Sequence, residues 1–235
     1  MNRIGGIIFA RMNSSRLPGK ALIEIDGVSL IERVIERAKK ISKIDHLCVA
    51  TSTHEEDDII ASFSKSKNID VYRGSLLDVA VRAIETCKEF NYDSFLRICG
   101  DRPFFDFTIY DKLIEIHNQE SSDITTNIFP RTVPPGLSGE VISTNALKFV
   151  IEQSSNKDHR EHITKYFYEN PKLFNIRNVQ NGIPMEKVNS RLVIDNHQDL
   201  KRATWIAKKI NKNNTNADFI QLINLAFEWE NNYNK

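Results

Sequence analysis

A chain of 235 residues that is 40% hydrophobic and 27% charged has the size and composition of one globular domain, or of one domain with a sizeable insertion. Its formal net charge of +1 excludes the broad basic excess of a nucleic-acid scaffold, so any polyanion site has to be local. Apolar runs too short to span a bilayer exclude a helical membrane protein, and three cysteines and six histidines at no metal-ligand spacing give no zinc pattern.

The first element in chain order is an apolar strand over Ile4–Ala10, and it runs straight into Arg11-Met12-Asn13-Ser14-Ser15-Arg16-Leu17-Pro18-Gly19-Lys20. Three cations and two hydroxyls at the mouth of an α/β sheet make an anion site, usually for phosphates. The loop is neither of the two common phosphate loops. Gly19-Lys20 fits the end of a Walker loop, but Ser14 stands at its first glycine and Ala21 at its metal-binding hydroxyl. The glycine pattern of a dinucleotide fingerprint is also missing, since Gly5-Gly6 lie ahead of the loop. Arg11, Arg16 and Lys20 therefore have to supply what backbone N–H groups supply elsewhere, and the Arg fork suits phosphate oxygens. The alternative is a solvated basic loop.

Helical spacing follows at Leu30, Ile31, Val34, Ile35, Ala38 and Ile41, with Ser29-x-x-Glu32 placed to cap it. His46–Thr51 is a strand. Thr53-x-x-Glu56 opens a helix with Ile59, Ile60 and Phe63 on one face, and the acids Glu55–Asp58 complement its dipole. Val71–Arg73 is a short strand, and Leu76, Leu77, Ala80, Ala83, Ile84 and Cys87 form the next helix face. Ser94–Cys99 is a strand ending at Gly100-Asp101. Ile109, Leu113 and Ile116 mark a helix, and Ile124–Asn127 a strand. This alternation predicts a mostly parallel, three-layer α/β/α sheet.

Pro130, Pro134, Pro135 and Gly136 then break the rhythm. A strand at Glu140–Ser143, a helix from about Asp158 to Glu169 and a strand at Phe174–Val179 suggest a lobe inserted over about residues 130–190. Arg191–Asp195 is expected as a last strand returning to the main sheet, before two closing helices. The second of these shows Phe219, Leu222, Ile223, Ala226 and Phe227 on one face. Cys48, Cys87 and Cys99 sit in apolar patterns and read as buried free thiols of a reducing cytoplasm. The opening Met-Asn-Arg-Ile-Gly-Gly carries no secretory h-region, so a cytoplasmic location is expected.

Asp101 and Asp195 both follow strands, at the strand ends where open α/β sheets bind ligands. Two carboxylates meeting a phosphate loop there make a natural Mg²⁺ site. Their plainer readings are a turn aspartate before Arg102-Pro103 and a cap for the helix near His197.

The series Ala10, Arg11, Ser14, Arg16, Leu17, Pro18, Lys20 resembles the A-R-x-x-S-x-R-L-P-x-K signature of the sugar-acid cytidylyltransferases, the CMP-acylneuraminate and CMP-ketodeoxyoctonate synthetases and SpsF-like proteins. The resemblance continues through Gly27, Val49–Ser52 and Arg97–Pro103, similar to the family's Gly-Asp-x-Pro segment. It closes on Arg191–Leu200, where Asn196-His197 replace the commoner Thr-Pro; Asp158–Thr164 is similar to the SpsF-type subgroup. It implies a single Rossmann-like nucleotidyltransferase domain over 1–235, of the nucleotide-diphospho-sugar transferase kind, that joins CMP from CTP to an acidic sugar with Mg²⁺ and releases pyrophosphate. It further implies that Arg11, Arg16 and Lys20 grip the β- and γ-phosphates and that Asp101 and Asp195 hold the metal. Ala10 and Ser14 would border the nucleotide, with Thr51 and Ser52 helping to select the base. Arg160 and His162 would face the acceptor, and the inserted lobe would form a homodimer. A glycosyltransferase of similar topology is disfavoured because the sequence has no D-x-D triplet. A different nucleotide or acceptor such as a phosphonate, or a non-catalytic nucleotide-binding protein on the same fold, stays open.

Overall fold

The computed structural model describes residues 2–14, 16–210 and 217–233. Strand β1 (Ile4–Phe9) is followed by a two-stranded hairpin, β2 (Glu24–Ile25) and β3 (Val28–Ser29). Its turn residues Asp26 and Gly27 both have positive φ, 50° and 77°, as a two-residue hairpin of this hand requires. Helix α1 (Leu30–Ala38) starts where the sequence places it, with the Ser29 hydroxyl accepting from the Glu32 N–H. There follow β4 (His46–Ser52), α2 (Asp58–Ser66), β5 (Asp70–Gly74), α3 (Val79–Phe90), β6 (Ser94–Cys99), α4 (Phe107–Glu120) and β7 (Ile124–Thr126). The remainder comprises β8 (Glu140–Ser143), α5 (Thr144–Gln153), α6 (Lys157–Glu161), α7 (Lys165–Glu169), β9 (Ile176–Asn178), α8 (His197–Lys209) and α9 (Phe219–Tyr233).

Seven strands form one sheet in the order β5-β4-β1-β6-β8-β7-β9. β5, β4, β1 and β6 are mutually parallel, β8 runs antiparallel to both β6 and β7, and β7 pairs with β9 in parallel. Alternation along the strands divides the core in two. Ile4, Ile8, Val49, Leu96 and Ile98 pack with α1, α4, α8 and α9. Ile7, Cys48, Ala50, Phe95 and Ile142 pack on the other face with α3, α5 and Phe167 of α7. The three-layer α/β/α expectation therefore holds, and no helix among the described residues is long and apolar enough to cross a membrane.

Five local expectations are corrected. Helix α2 does not open at Thr53, whose N–H still bonds the Gly74 carbonyl at the sheet edge; a 3-10 turn at Glu55–Asp57 leads into it, and Ile59 is exposed. Leu76 and Leu77 precede α3, because Asp78 caps that helix by accepting from the Val81 N–H at 2.8 Å. The helix expected over Asp158–Glu169 is two short helices, broken where Ile163 turns into the core. Glu140–Ser143 and Ile176–Asn178, expected in an inserted lobe, are strands of the main sheet. Arg191–Asp195 joins no ladder: the Leu192 and Ile194 N–H groups bond singly to the carbonyls of Pro135 (2.7 Å) and Asp101 (3.0 Å).

Candidate active site

The loop after β1 is tied down at both ends. Gly19, at φ 70°, donates its N–H to the Met12 carbonyl at 3.1 Å, and Lys20 N–H bonds the Leu17 carbonyl at 3.2 Å around the buried Leu17 side chain. From behind, Asp57 accepts from the Met12 N–H at 2.7 Å, from the Ser52 N–H at 3.2 Å and from the Ser52 hydroxyl. Asp57 is only 1% exposed. The sequence places it with Glu55, Glu56 and Asp58 as a complement to the helix dipole; it is instead the buried strut of the loop. Ser15 lies outside the described residues.

The loop's charge meets its partners at the ends of two other segments. The Gly100 N–H bonds the Phe9 carbonyl at 2.9 Å, and a Cβ at Gly100 would stand 2.9 Å from that same oxygen, so the chain can turn there only without a side chain. Asp101 is delivered next. Asp195 arrives on the extended segment held to the Asp101 carbonyl by Ile194. The helix cap that Asp195 could have been is Asn196, whose side chain accepts from the Asp199 N–H at 2.9 Å. Asp195 is thereby left for the cleft.

Lys20 Nζ lies 3.1 Å from Asp101 Oδ2, 3.1 Å from the Ile194 carbonyl and 3.4 Å from Asp195 Oδ1. Arg16 Nη2 reaches Asp195 Oδ1 at 3.3 Å, and Arg191 Nη2 reaches Asp195 Oδ2 at 3.4 Å. Behind them Asp199 sits below the usual carboxylate range: burial pushes it up, but the Asp195 N–H, Arg191 and Arg202 outweigh burial. Asp101 and Asp195 thus address one cationic point with hard oxygen donors, the set that suits Mg²⁺ beside phosphates. Among the described residues no cluster of three or more His, Cys, Asp or Glu has metal-site geometry, so substrate oxygens would have to complete the coordination.

These groups line a cleft of about 610 Å³ that also takes in Ala10, Arg11 and Ser14. Two expectations fail here. Thr51 and Ser52 are fully buried behind the loop and do not line the cleft, because the Ser52 hydroxyl is committed to Asp57. Arg160 does not line it either: its guanidinium donates to the carbonyls of Ser154 (3.1 Å) and Ile151 (2.8 Å) and lies 3.5 Å from Asp78. His162 does line the cleft, as does its neighbour Glu161, which pairs with Arg11 at 2.9 Å.

Three further groups line the cleft to which the sequence assigns no role there: Arg82, Arg97 and Cys99. Arg82 of α3 is 2% exposed, lies 6.0 Å from the Phe9 ring and donates Nη1 to the Ser75 carbonyl at 2.7 Å. Burial, with the Arg11 charge adding to it, lowers its pKa to about 10. Arg97 of β6 pairs through Nη1 with Glu140 Oε2 at 2.5 Å. Burial opposes the Arg97 charge, yet Cys99 and Glu140 more than offset it and hold the group protonated. Cys99 itself is half-buried and lines the cleft, unlike the fully buried Cys48 and Cys87.

The family model described as Cytidylyltransferase matches residues 6–222. The chain is 33% identical over 221 residues to an uncharacterized protein of Methanocaldococcus jannaschii, covering 94% of this chain and 89% of that protein. It is 31% identical over 217 residues to the spore coat polysaccharide biosynthesis protein SpsF of Bacillus subtilis, covering 89% of this chain and 88% of that protein. Among solved structures, a cytidylyltransferase from Leptospira borgpetersenii superposes with a TM-score of 0.90 at 27% identity, over 97% of this chain and 95% of that one. A CMP:2-keto-3-deoxy-manno-octonic acid synthetase complexed with CTP shares the fold, with a TM-score of 0.66 at 15% identity over 88% and 99% of the two chains. The chain belongs to the cytidylyltransferase family.

Proposed function

We propose that this cytidylyltransferase activates a sugar acid of the ulosonic or nonulosonic type, transferring CMP from CTP to an acceptor hydroxyl and releasing pyrophosphate, for a surface polysaccharide or related glycan. The observation that carries this is the meeting of Lys20 with Asp101 and Asp195, at 3.1 Å and 3.4 Å, in a cleft walled by the phosphate loop. A relative named for polysaccharide biosynthesis and relatives named as 3-deoxy-manno-octulosonate cytidylyltransferases support the acidic-sugar part.

In this mechanism Arg11, Arg16 and Lys20 bind the β- and γ-phosphates and neutralise charge that grows on the departing pyrophosphate. Ala10 and Ser14 border the nucleotide. The tie from Asp57 keeps the loop backbone in place while Lys20 shifts its hydrogen bonds from carboxylates to phosphate oxygens. Asp101 and Asp195 would hold Mg²⁺, which when bound polarises the transferring phosphoryl group and lowers the pKa of the attacking hydroxyl. The chain's own part in that step is to place two carboxylates at one point, clasped by the Ile194–Asp101 backbone bond.

Pyrophosphate release is measured with CTP, UTP, GTP and ATP against a panel of sugar acids and Mg²⁺. Turnover with CTP and at least one acid is expected. Turnover only with another nucleotide or with neutral acceptors would replace this reading, and CTP binding without turnover on any acceptor would mark a nucleotide-binding protein.

A further inference from the structure

We propose that Arg97 is the residue that receives the acceptor's carboxylate, with Glu140 and Tyr168 positioning it; this assignment rests on the acidic-sugar reading above. Arg97 and Cys99 project from the same face of β6, in register with Ile7 and Phe9 on β1, and Arg97 is also paired with Glu140 on β8. That face carries Phe9, Cys99 and Arg97 into the cleft. An arginine in a central strand, between Leu96 and Ile98, is a costly residue unless something uses it.

Its surroundings fix its place without consuming it. Glu140 is 1% exposed and accepts from Arg97 Nη1, while its other oxygen accepts from the Tyr168 hydroxyl at 2.8 Å. Tyr168 is itself stacked on Phe129, with ring centroids 4.8 Å apart. That one bond to Glu140 is the only hydrogen bond the Arg97 side chain makes among the described residues. Its side chain is 20% exposed, so the rest of the planar fork stays available to an oxyanion in the cleft.

The placing of the neighbouring cations points the same way. Arg97, Arg102 and Arg131 all lie near Glu140, and of the three Arg97 lines the cleft. The other cations of the cleft are placed differently: Arg11, Arg16 and Lys20 belong to the phosphate loop, and Arg82, on α3 against the Phe9 ring, is 2% exposed where the Arg97 side chain is 20% exposed. Three residues, the last the turn glycine Gly100, lie between Arg97 and Asp101, and both side chains line the one cleft in which an acceptor would sit.

Removing Arg97 alone would strand Glu140 as a buried, unpaired charge, so the test variant carries both Arg97→Gln and Glu140→Gln. Folding of the pair is checked by thermal melting. The probes are 3-deoxy-manno-octulosonate and N-acetylneuraminate, each beside its C1 amide, titrated into protein holding Mg²⁺ and a non-hydrolysable CTP analogue. The native protein is expected to prefer at least one acid over its amide by about tenfold or more, the worth of a charge-assisted pair. The double variant is expected to lose that preference while keeping its affinity for the CTP analogue within roughly twofold, an interaction Arg97 does not make. An acid preference that survives in the double variant overturns the assignment. Loss of the CTP analogue along with the acid also overturns it, by making Arg97 a structural residue. If the native protein shows no preference for either acid, the acidic-sugar reading fails, and Arg97 falls with it.

Discussion

Lys20 and Glu161 carry opposite charges into one cleft and are held in opposite ways. Lys20 is 18% exposed and has three oxygen partners within 3.4 Å, drawn from segments 81 to 175 residues away. Glu161 is 47% exposed, sits at the end of a five-residue helix and its side chain has one partner among the described residues, Arg11. In the proposed mechanism Lys20 and its two carboxylate partners are held against one another on the phosphate side by the Ile194–Asp101 backbone bond. The proposed acceptor side presents Glu161 and the 61% exposed His162 at the end of a short helix, where a different residue would cost the fold little. A rigid grip beside a replaceable one is what a family needs to keep one nucleotide chemistry while changing what receives it.

The largest expected effect breaks the rigid side. Asp101→Asn removes charge and leaves shape, so turnover with CTP and acceptor should fall by about a thousandfold or more, equivalent to ~4 kcal/mol of barrier, with an unchanged melting temperature. Activity within tenfold of the native enzyme would remove Asp101 from the metal site. Next comes Asp57→Ala, which leaves the Met12 N–H and two Ser52 donors without an acceptor. Chemical denaturation should show a loss of about 3 kcal/mol or more, with weaker CTP binding, since each of the three unmet donors costs on the order of 1–3 kcal/mol. Weaker stability with unaltered CTP affinity would separate the strut from the loop.

A smaller effect is expected on the acceptor side. Glu161→Gln frees Arg11 and takes a negative charge from beside the triphosphate, so CTP should bind about two- to fivefold tighter, as suits a half-exposed ion pair. Calorimetric titration showing tenfold weaker binding would mean that Glu161 holds Arg11 in its working position. At neutral pH the smallest effect belongs to His117 of α4, away from both sides. It is 2% exposed and burial lowers its pKa from 6.5 to about 4, against a minor opposing pull from Asp123. The unfolded chain therefore binds a proton that the folded one refuses, and stability falls as pH drops from 6.5 towards 4, by up to about 3 kcal/mol. His117→Gln should flatten that acid limb and leave turnover at neutral pH unchanged; a shifted pH–rate profile would tie His117 to the cleft.

What the sequence discloses follows the same divide. The loop cations and the two aspartates stand beside strong local punctuation: Pro-Gly before Lys20, Gly before Asp101, a helix cap after Asp195. Such signals place a side chain at a strand end with no knowledge of its partners. Asp57 was hidden in a run of four acids whose other members face water, and only its contact with Met12, 45 residues away, marks it out. Arg82 and Arg97 do leave a trace, each a cation inside an otherwise apolar face: Arg82 among Ala80, Ala83 and Cys87, and Arg97 between Phe95 and Cys99 on one face of its strand. Thr51 and Ser52 were misplaced because a strand end says where a residue sits along the sheet, not whether a loop covers it. Arg160 was misplaced because carbonyls at the end of α5 claim its donors first.

The single backbone bond from Ile194 to the Asp101 carbonyl has a consequence for how such a chain changes over time. It clasps the two aspartates together at the base of everything between them: strands β7 to β9, helices α4 to α7 and the loops that face the acceptor. Whatever is lengthened, trimmed or exchanged inside that closed excursion, the spacing of the two carboxylates is reset at its neck. In the proposed mechanism this bond sets the two metal-holding carboxylates apart from the excursion that would receive the acceptor.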